Sequence, residues 1–402
     1  MDVVMFCHPD FMTSQSMPRF AQMLATAYRA RGHRVQVWAP KPRVFKWVPY
    51  RRLAKWAGYM DQYLIFPLWV RGAAKRVAPD TLFVFCDQAL GPWVPLVAAR
   101  PHVVHAHDLL ALRSALGDVP ENPTSITGRV YQSYIRRGFR RGRHFISISA
   151  KTRDDLHRFG GVCAATSNVV YNGLNFPYAP LSVEDSDRAF RAAGLELPPS
   201  GFLLHVGGGQ WYKNLAGVIA LYVAYVARVP NPLPLWCVSP QPNPDIMALL
   251  RKLPDGLVRF ARNLASATLQ AMYSRASAFL FPSLAEGFGW PIIEAMACGC
   301  PVITTGEAPM NEVGGEAACY LPRLKVLADR AEWAQSGATV LSELLAENEE
   351  QKGRRRAMGY AWVKRFDSNR AIDGYLSIYQ RIVDMELHGG AADCGLNQST
   401  RF

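Results

Sequence analysis

No run of apolar residues in this chain is long enough to cross a bilayer. The longest, Leu215 to Ala227, has 13 residues, against the roughly 20 that a membrane helix needs. The opening residues, Met1-Asp-Val-Val-Met-Phe, lack the basic segment and apolar stretch of a secretory signal. Cysteine is scattered: there are eight, with no Cys-x2-Cys pair and only Cys298 and Cys300 close together. That pattern argues against a zinc or disulfide framework and for reduced thiols in a cytoplasmic setting. Cys298 and Cys300 read as small packing residues at a helix end. Internal repeats and nucleic-acid recognition modules are missing too. The Asp-x-Asp at Asp185-Ser-Asp187 lies in an acidic stretch rather than at a strand end, so no metal site is expected there.

What the chain does have is a core and an uneven charge. At 402 residues, half of them hydrophobic, it is too long for one ordinary core and predicts two domains. Residues 1–160 hold 24 Lys/Arg and 10 Asp/Glu, whereas residues 161–402 hold 21 and 22. All of the net +13 is therefore carried by the first half, which implies an anionic partner. From Arg43 to Arg76, Phe45, Trp47, Tyr50, Trp56, Tyr59, Tyr63, Phe66 and Trp69 interleave with lysines and arginines. Arg136, Arg137, Arg140, Arg141 and Arg143 form a second cluster. An aromatic and basic surface of this kind suits an anionic membrane. A buried aromatic helix with solvated charges is the alternative.

Strand and helix patterns alternate along both halves. Asp2 to Phe6, Arg34 to Ala39, Leu82 to Cys86, Val103 to His105 and Phe145 to Ile148 read as strands of the first half. Phe202 to Val206, Pro234 to Val238, Val258 to Ala261, Ala278 to Phe281, Pro301 to Thr304 and Ala317 to Leu321 read as strands of the second. Such alternation indicates parallel sheets covered by helices. Pro177 to Ser200 is rich in Pro, Ser and acids and reads as the linker.

Two segments carry chemistry. In Glu286-Gly-Phe-Gly-Trp-Pro-Ile-Ile-Glu294 a Gly-rich turn follows a buried strand. Pro291 suits a helix start and Gly299 its stop. Backbone N–H groups at Gly287, Phe288 and Gly289 and a positive helix end would face an anion. Glu286 on the loop and Glu294 one turn into the helix would hold hydroxyls beside it. An anion between hydroxyl-bearing groups describes a nucleotide sugar. In His205-Val-Gly-Gly-Gly-Gln-Trp-Tyr-Lys-Asn214 a strand ends in Gly207, Gly208 and Gly209, which admit a ligand close to the backbone. Lys213 supplies a compact positive charge for a diphosphate.

The run Pro-Ser-x2-Glu-Gly-Phe-Gly-x-Pro-x2-Glu-Ala-x-Ala-x-Gly-x-Pro-Val, from Pro282 to Val302, resembles the retaining family-four glycosyltransferases. The resemblance covers nearly the whole chain and implies the GT-B fold: two Rossmann-like α/β domains facing a central cleft. It places an acceptor-side domain at 1–180 and a nucleotide-sugar-binding domain at 200–367. A helix at about 368–387 packs back on the first domain, and 388–402 is a flexible tail. The implied reaction moves a sugar from a nucleotide-sugar donor to a hydroxyl of a glycan acceptor, with retention and without a cofactor or metal. The resemblance, with the basic and aromatic first half, implies a lipid-linked acceptor, as in the synthesis of a surface polysaccharide or glycolipid at the cytoplasmic face of a membrane.

The same resemblance distributes the roles. Lys213 and the Gly287–Gly289 amides take the diphosphate, Glu294 the ribose hydroxyls and Glu286 those of the donor sugar. His107, in Val104-His-Ala-His-Asp-Leu109, contacts the transferring sugar or acceptor, with His105 as its decoy. Asn263 and Leu264 present backbone groups to the base. The family's arginine before the lysine is missing here, and Gln210, Tyr212 or Arg262 stand in, with Asn214 beside them. The glycines usual after the first strand are also missing, leaving Ser14 and Ser16 as phosphate or acceptor contacts. Two rival readings are a nucleotide-sugar epimerase on the same fold and a catalytically silent nucleotide-sugar-binding subunit.

Overall fold

The computed structural model describes residues 1–11, 16–48 and 51–388; the side chains of Ser16, Arg51, Arg52, Leu327 and His388 lie outside the description. The chain divides into two compact units, Met1–Tyr171 with Asn369–Phe402, and Asn172–Ser368.

The first unit is built on six parallel strands: β1 (Asp2–Phe6), β2 (Arg34–Trp38), β3 (Leu82–Phe85), β4 (His102–Ala106), β5 (His144–Ser147) and β6 (Thr166–Val169). Their order is β2-β1-β3-β4-β5-β6. Both faces are covered, so β1, β3 and β4 read as near-continuous apolar runs rather than alternating ones. One face packs Phe6, Phe83, Phe85 and Val104 against Phe66, Val70 and Trp93. The other packs Val3, Met5 and Val84 against Phe20 and Leu24 and against Ile372, Tyr375, Tyr379 and Ile382 of the last helix, Ser368–His388. Glu386 of that helix accepts bonds of 2.8 Å from both His144 and Arg143.

The second unit repeats the scheme with β7 (Leu203–Val206), β8 (Leu235–Val238), β9 (Val258–Ala261), β10 (Ala278–Phe281), β11 (Val302–Thr305) and β12 (Cys319–Leu321). The order is β12-β11-β10-β7-β8-β9, all parallel. Each sheet has one place where the chain's connections diverge to opposite sides. It lies between β1 and β3 in the first and between β7 and β10 in the second. Ligands of open α/β sheets bind at the carboxyl ends of the strands at such points.

The expected linker is corrected. Residues 177–200 belong to the second unit, whose boundary falls at Asn172 rather than near 180–200. Within them Ser182 caps a helix, Val183–Ala192, by accepting from the Asp185 N–H. Phe190 of that helix is buried against Phe202 and Trp236. Asp187 pairs with Arg275 at 2.9 Å. The acidic composition is the solvent face of a packed helix. Ser14 and the tail from residue 389 onward lie outside the described residues. No described helix is long and apolar enough to cross a membrane.

Candidate functional site

In the second unit the loops after β7 and β10 are tied to each other. Gln210 precedes a short turn, Trp211–Lys213, and Asn214 follows with a left-handed backbone, φ 54°. The Asn214 side chain then does two jobs. Its Oδ1 accepts from the Gly217 N–H at 3.2 Å, capping the helix Leu215–Val226, and its Nδ2 donates to Pro282 O at 2.9 Å. The Leu284 N–H donates to Tyr212 O at 2.7 Å. From the other side Arg323 Nε donates to Leu284 O, and the Thr305 hydroxyl donates to Ser283 O, each at 2.7 Å. Pro282, Ser283 and Leu284 of the strand-end loop are therefore each fixed by a named donor or acceptor.

This bracing brings Lys213 Nζ to 2.8 Å from Glu286 Oε1. The ammonium also lies 4.8 Å from the Phe281 ring centroid and 5.4 Å from that of Tyr212. Aromatic faces favour a cation there. Gly289 takes φ 105°, a conformation that suits glycine, and caps the helix Trp290–Ala297 with Pro291 in its first turn. One turn in, Glu294 is buried, and its Oε2 accepts from the Tyr273 hydroxyl at 3.1 Å. Burial pushes its carboxyl up to about 7, against the lowering effects of the Tyr273 bond and the Lys213 charge. The two glutamates thus differ: Glu286 sits in an ion pair and Glu294 in a low-dielectric pocket.

Beneath the glycine loop lies His205, which sequence reasoning left without a role. Its Nδ1–H donates to Leu280 O at 2.8 Å, and burial holds the ring neutral, near 4. The other nitrogen, Nε2, has no partner among the described residues. A Cβ on Gly207 would stand 2.9 Å from it. Any side chain at 207 would therefore strike the ring, so packing alone requires glycine there. Gly208 is half-buried, while Gly209 and Gln210 are exposed on the same loop.

Arg262 and Asn263 are exposed past the end of β9, and Leu264 is half-buried. Asn263 has φ 54°. The N-cap of the following helix, Ser266–Arg275, is Ala265, so Asn263 is not serving as that cap.

In the first unit His107 follows β4. Its backbone N–H donates to Gln88 Oε1 at 2.9 Å and its Nε2–H to Cys86 O at 2.8 Å. Nδ1 is then a buried acceptor with no partner among the described residues, and burial lowers the ring's proton affinity. His105 points into the core instead, with Nε2 at 2.6 Å from the Tyr379 hydroxyl. Sequence reasoning missed the neighbours of His107. His8 Nε2 lies 2.9 Å from Asp87 Oδ2, and Asp87 Oδ1 accepts from the Ala89 N–H at 3.0 Å. Burial alone would raise the Asp87 carboxyl; the His8 bond and the nearby His8 and His107 rings outweigh it and hold the carboxyl low. The pair sits at the divergence point between β1 and β3. The backbone of Ser16 begins the helix Ser16–Ala30.

Among the described residues no group of three or more His, Cys, Asp or Glu is arranged to hold a metal. The carboxylates at the two sites are each engaged by a lysine, a tyrosine or a histidine instead.

Residues 17–176 match the family described as Glycosyltransferase Family 4, and residues 202–343 match Glycosyl transferases group 1. The O-antigen chain mannosyltransferase B of Escherichia coli is 31% identical over 125 residues, 30% of this chain and 33% of that protein. The O-antigen chain mannosyltransferase RfbU of Salmonella typhimurium is 24% identical over 200 residues, 50% of this chain and 52% of that one. The chain thus spans about a third to a half of the length of these relatives. Among solved structures, a sucrose-phosphate synthase from Thermosynechococcus elongatus superposes with a TM-score of 0.69 at 18% identity, covering 95% of this chain and 99% of that one. Anabaena HepE in complex with UDP superposes at 0.67 and 16% identity, covering 95% and 100%.

Proposed function

The chain belongs to the family-four glycosyltransferases of the GT-B fold, and on that premise we propose that it moves a sugar from a nucleotide donor to a hydroxyl of a glycan acceptor. The observation that carries this reading is the ion pair between Lys213 and Glu286, 2.8 Å long, set beside a buried Glu294 at the divergence point of the second sheet. It is the resting state of a diphosphate site. An arriving diphosphate competes with Glu286 for the Lys213 ammonium. Once Lys213 turns to the phosphate, Glu286 is released to accept hydroxyls of the donor sugar. The Gly287–Gly289 amides and the amino ends of the helices Leu215–Val226 and Trp290–Ala297 add positive potential on the same side. That potential stands in for the missing arginine and carries the diphosphate charge without a metal ion.

Transfer then proceeds with retention. The bond from the anomeric carbon to the diphosphate oxygen breaks, its electron pair leaves on the diphosphate, and the acceptor oxygen bonds to that carbon. The acceptor's proton passes to the departing phosphate oxygen. Positioning and charge stabilisation supply the rate. His8, Asp87 and His107 form the acceptor-side polar set. The E. coli and Salmonella relatives are O-antigen chain mannosyltransferases, which makes mannose the first donor sugar to test; the acceptor in this reading is a lipid-linked glycan of a surface polysaccharide. The same reading sets the enzyme at the cytoplasmic face of a membrane, as a peripheral protein.

The test is thermal stabilisation by UDP-, GDP-, ADP- and dTDP-sugars, mannosyl donors included, followed by NMR of the anomeric product. Stabilisation by one nucleotide class, with transfer to a glycan, supports the reading. Binding with no transfer to any acceptor would leave the silent-subunit reading, and turnover without acceptor the epimerase.

A further inference from the structure

The second face of a long surface helix in the first unit is the wrong kind of face for water. Residues 51–74 run as one helical rod, Arg51–Met60, a wider π turn at Asp61–Ile65, and Phe66–Ala74. Its inner face is accounted for: Ala57, Phe66, Val70, Ala73 and Ala74 are buried, and the Asp61 carboxylate accepts from the Val44 and Phe45 N–H groups. A surface helix normally presents polar residues on the opposite side. Here the outward positions are Leu53, Trp56, Met60, Leu64 and Leu68, all exposed, with Trp56 at 67%, Leu64 at 58% and Leu68 at 66%. They recur at steps of three and four. In a plain α-helix each step of four drifts by about 40°. The π turn, with more residues per turn, works against that drift between Met60 and Leu68 and keeps the stripe straight.

A second stripe lies beside it. The helix Ile126–Phe139 exposes Ile126, Val130 and Tyr134 at steps of four, Ile126 at 79%. Tyrosines lock the two helices together: the Tyr59 and Tyr131 rings stack at 5.9 Å, Tyr63 meets Tyr134 at 5.6 Å, and the Tyr63 and Tyr131 hydroxyls bond at 2.7 Å. The apolar patch therefore spans two braced helices.

Its surroundings are cationic. Residues 43–76 hold eight Lys/Arg and one acid, the buried Asp61, and residues 126–143 hold six Lys/Arg and no acid. Lys46, Lys55, Arg71, Arg129 and Arg137 are exposed around the stripes. A protein partner of ordinary composition would meet apolar side chains inside a one-signed field. An anionic bilayer offers both an apolar interior and a negative surface.

We propose that the paired outward faces of helices 51–74 and 126–139 are the surface by which this protein docks on an anionic phospholipid membrane. Trp56, Leu64, Leu68 and Ile126 enter the headgroup boundary, and the flanking lysines and arginines sit at the phosphates. This rests on the reading that the acceptor is carried on a lipid, but its test does not need transfer.

The experiment is flotation of the full chain with phosphatidylcholine vesicles, with and without phosphatidylglycerol. Each is run at low and high salt, beside light scattering for oligomeric state. Wild type should float with anionic vesicles, and salt should weaken that binding. Leu64→Glu with Leu68→Glu should cut partition by on the order of a hundredfold, and Lys55→Glu with Arg71→Glu should remove the preference for anionic lipid. Met247→Glu, exposed on the other unit, should change nothing. Unfolding temperature and stabilisation by nucleotide sugars should stay at wild-type values in all of them. No flotation, equal flotation with neutral lipid, or flotation unchanged by the Leu64/Leu68 pair would overturn the proposal. So would a wild-type oligomer that those substitutions dissolve without altering lipid binding. Flotation as expected with no sugar transfer would uphold the docking face and overturn the proposed activity.

Discussion

With Glu294 in its proposed place at the ribose, donor binding should depend on pH. Burial lifts its carboxyl from 4.5 to about 7. In the unfolded chain it titrates at its ordinary value, so between 4.5 and about 7 the folded state holds a proton that the unfolded state has lost. Stability contributed by the group therefore falls as pH rises through that window, and above about 7 the full cost is present. At about 1.4 kcal/mol per pH unit the cost comes to about 3 kcal/mol. Glu294→Gln removes the ionisation and keeps the shape. Relative to wild type, it should gain about 3 kcal/mol between pH 4.5 and 8 in denaturant unfolding.

Binding runs the other way. Ribose hydroxyls need the carboxylate as acceptor, and at pH 6 only about a tenth of the molecules carry it, against about nine-tenths at pH 8. Donor affinity should rise roughly tenfold over that range. Calorimetry in buffers of different ionisation enthalpy should show about half a proton released per donor bound at pH 7. A nucleotide sugar is the right probe, because its esterified diphosphate lacks the terminal phosphate group that titrates near pH 6. An affinity flat from pH 6 to 8 in wild type, with no proton released, would refute the assignment of Glu294 to the ribose.

Further outcomes follow from single contacts. Lys213→Ala removes the cation proposed for the diphosphate and leaves Glu286 unpaired; nucleotide-sugar affinity should drop ten- to a hundredfold, from the loss of about 1.5–3 kcal/mol of charge-assisted bonding, as read by calorimetry. Asp87→Asn frees His8 from its carboxylate; the acceptor KM or kcat should change while the donor dissociation constant stays fixed. Tyr379→Phe deletes the bond to His105 and the 3.2 Å contact with the Tyr28 hydroxyl, and should cost about 1–3 kcal/mol in denaturant unfolding. Gly138→Ala drives a Cβ into the Gly91 carbonyl where two helical segments touch backbone to backbone; at least about 3 kcal/mol of destabilisation is expected, read as a lowered midpoint.

The inner strands of both sheets were legible because a strand covered on two faces is written as an unbroken apolar run, and the edge strands β2 and β9 because polar and apolar residues alternate along them. Phe83-Val84-Phe85 and Phe279-Leu280-Phe281 admit few other readings. β6 escaped because Thr166–Val169 lies at the sheet's edge, is only half-buried along its length, and, as Thr-Ser-Asn-Val, carries neither an apolar run nor an alternation. The helix Val183–Ala192 was taken for a linker because one buried aromatic, Phe190, and one serine cap suffice to dock it. Neither stands out against its acids.

In the second unit the sequence names Lys213, Glu286 and Glu294 but not the contacts that join them. Spacing puts Glu286 on a loop and Glu294 on a helix. It says nothing of the hydrogen bonds from Asn214, Arg323 and Thr305 that carry Glu286 to Lys213, nor of the Tyr273 pocket that raises Glu294. In the first unit even the list of residues is incomplete. His8 and Asp87 are 79 residues apart and belong to no local pattern. They meet because β1 and β3 are adjacent where the chain's connections diverge, and each stands just past the end of its strand. The strand order thus places a histidine–carboxylate pair at the first sheet's divergence point and a lysine–carboxylate pair at the second's. Both pairs lie on the loops that follow neighbouring parallel strands, His8 and Asp87 two residues past β1 and β3 and Lys213 and Glu286 further along the loops after β7 and β10, so the strand order brings together contacts that local sequence pattern does not.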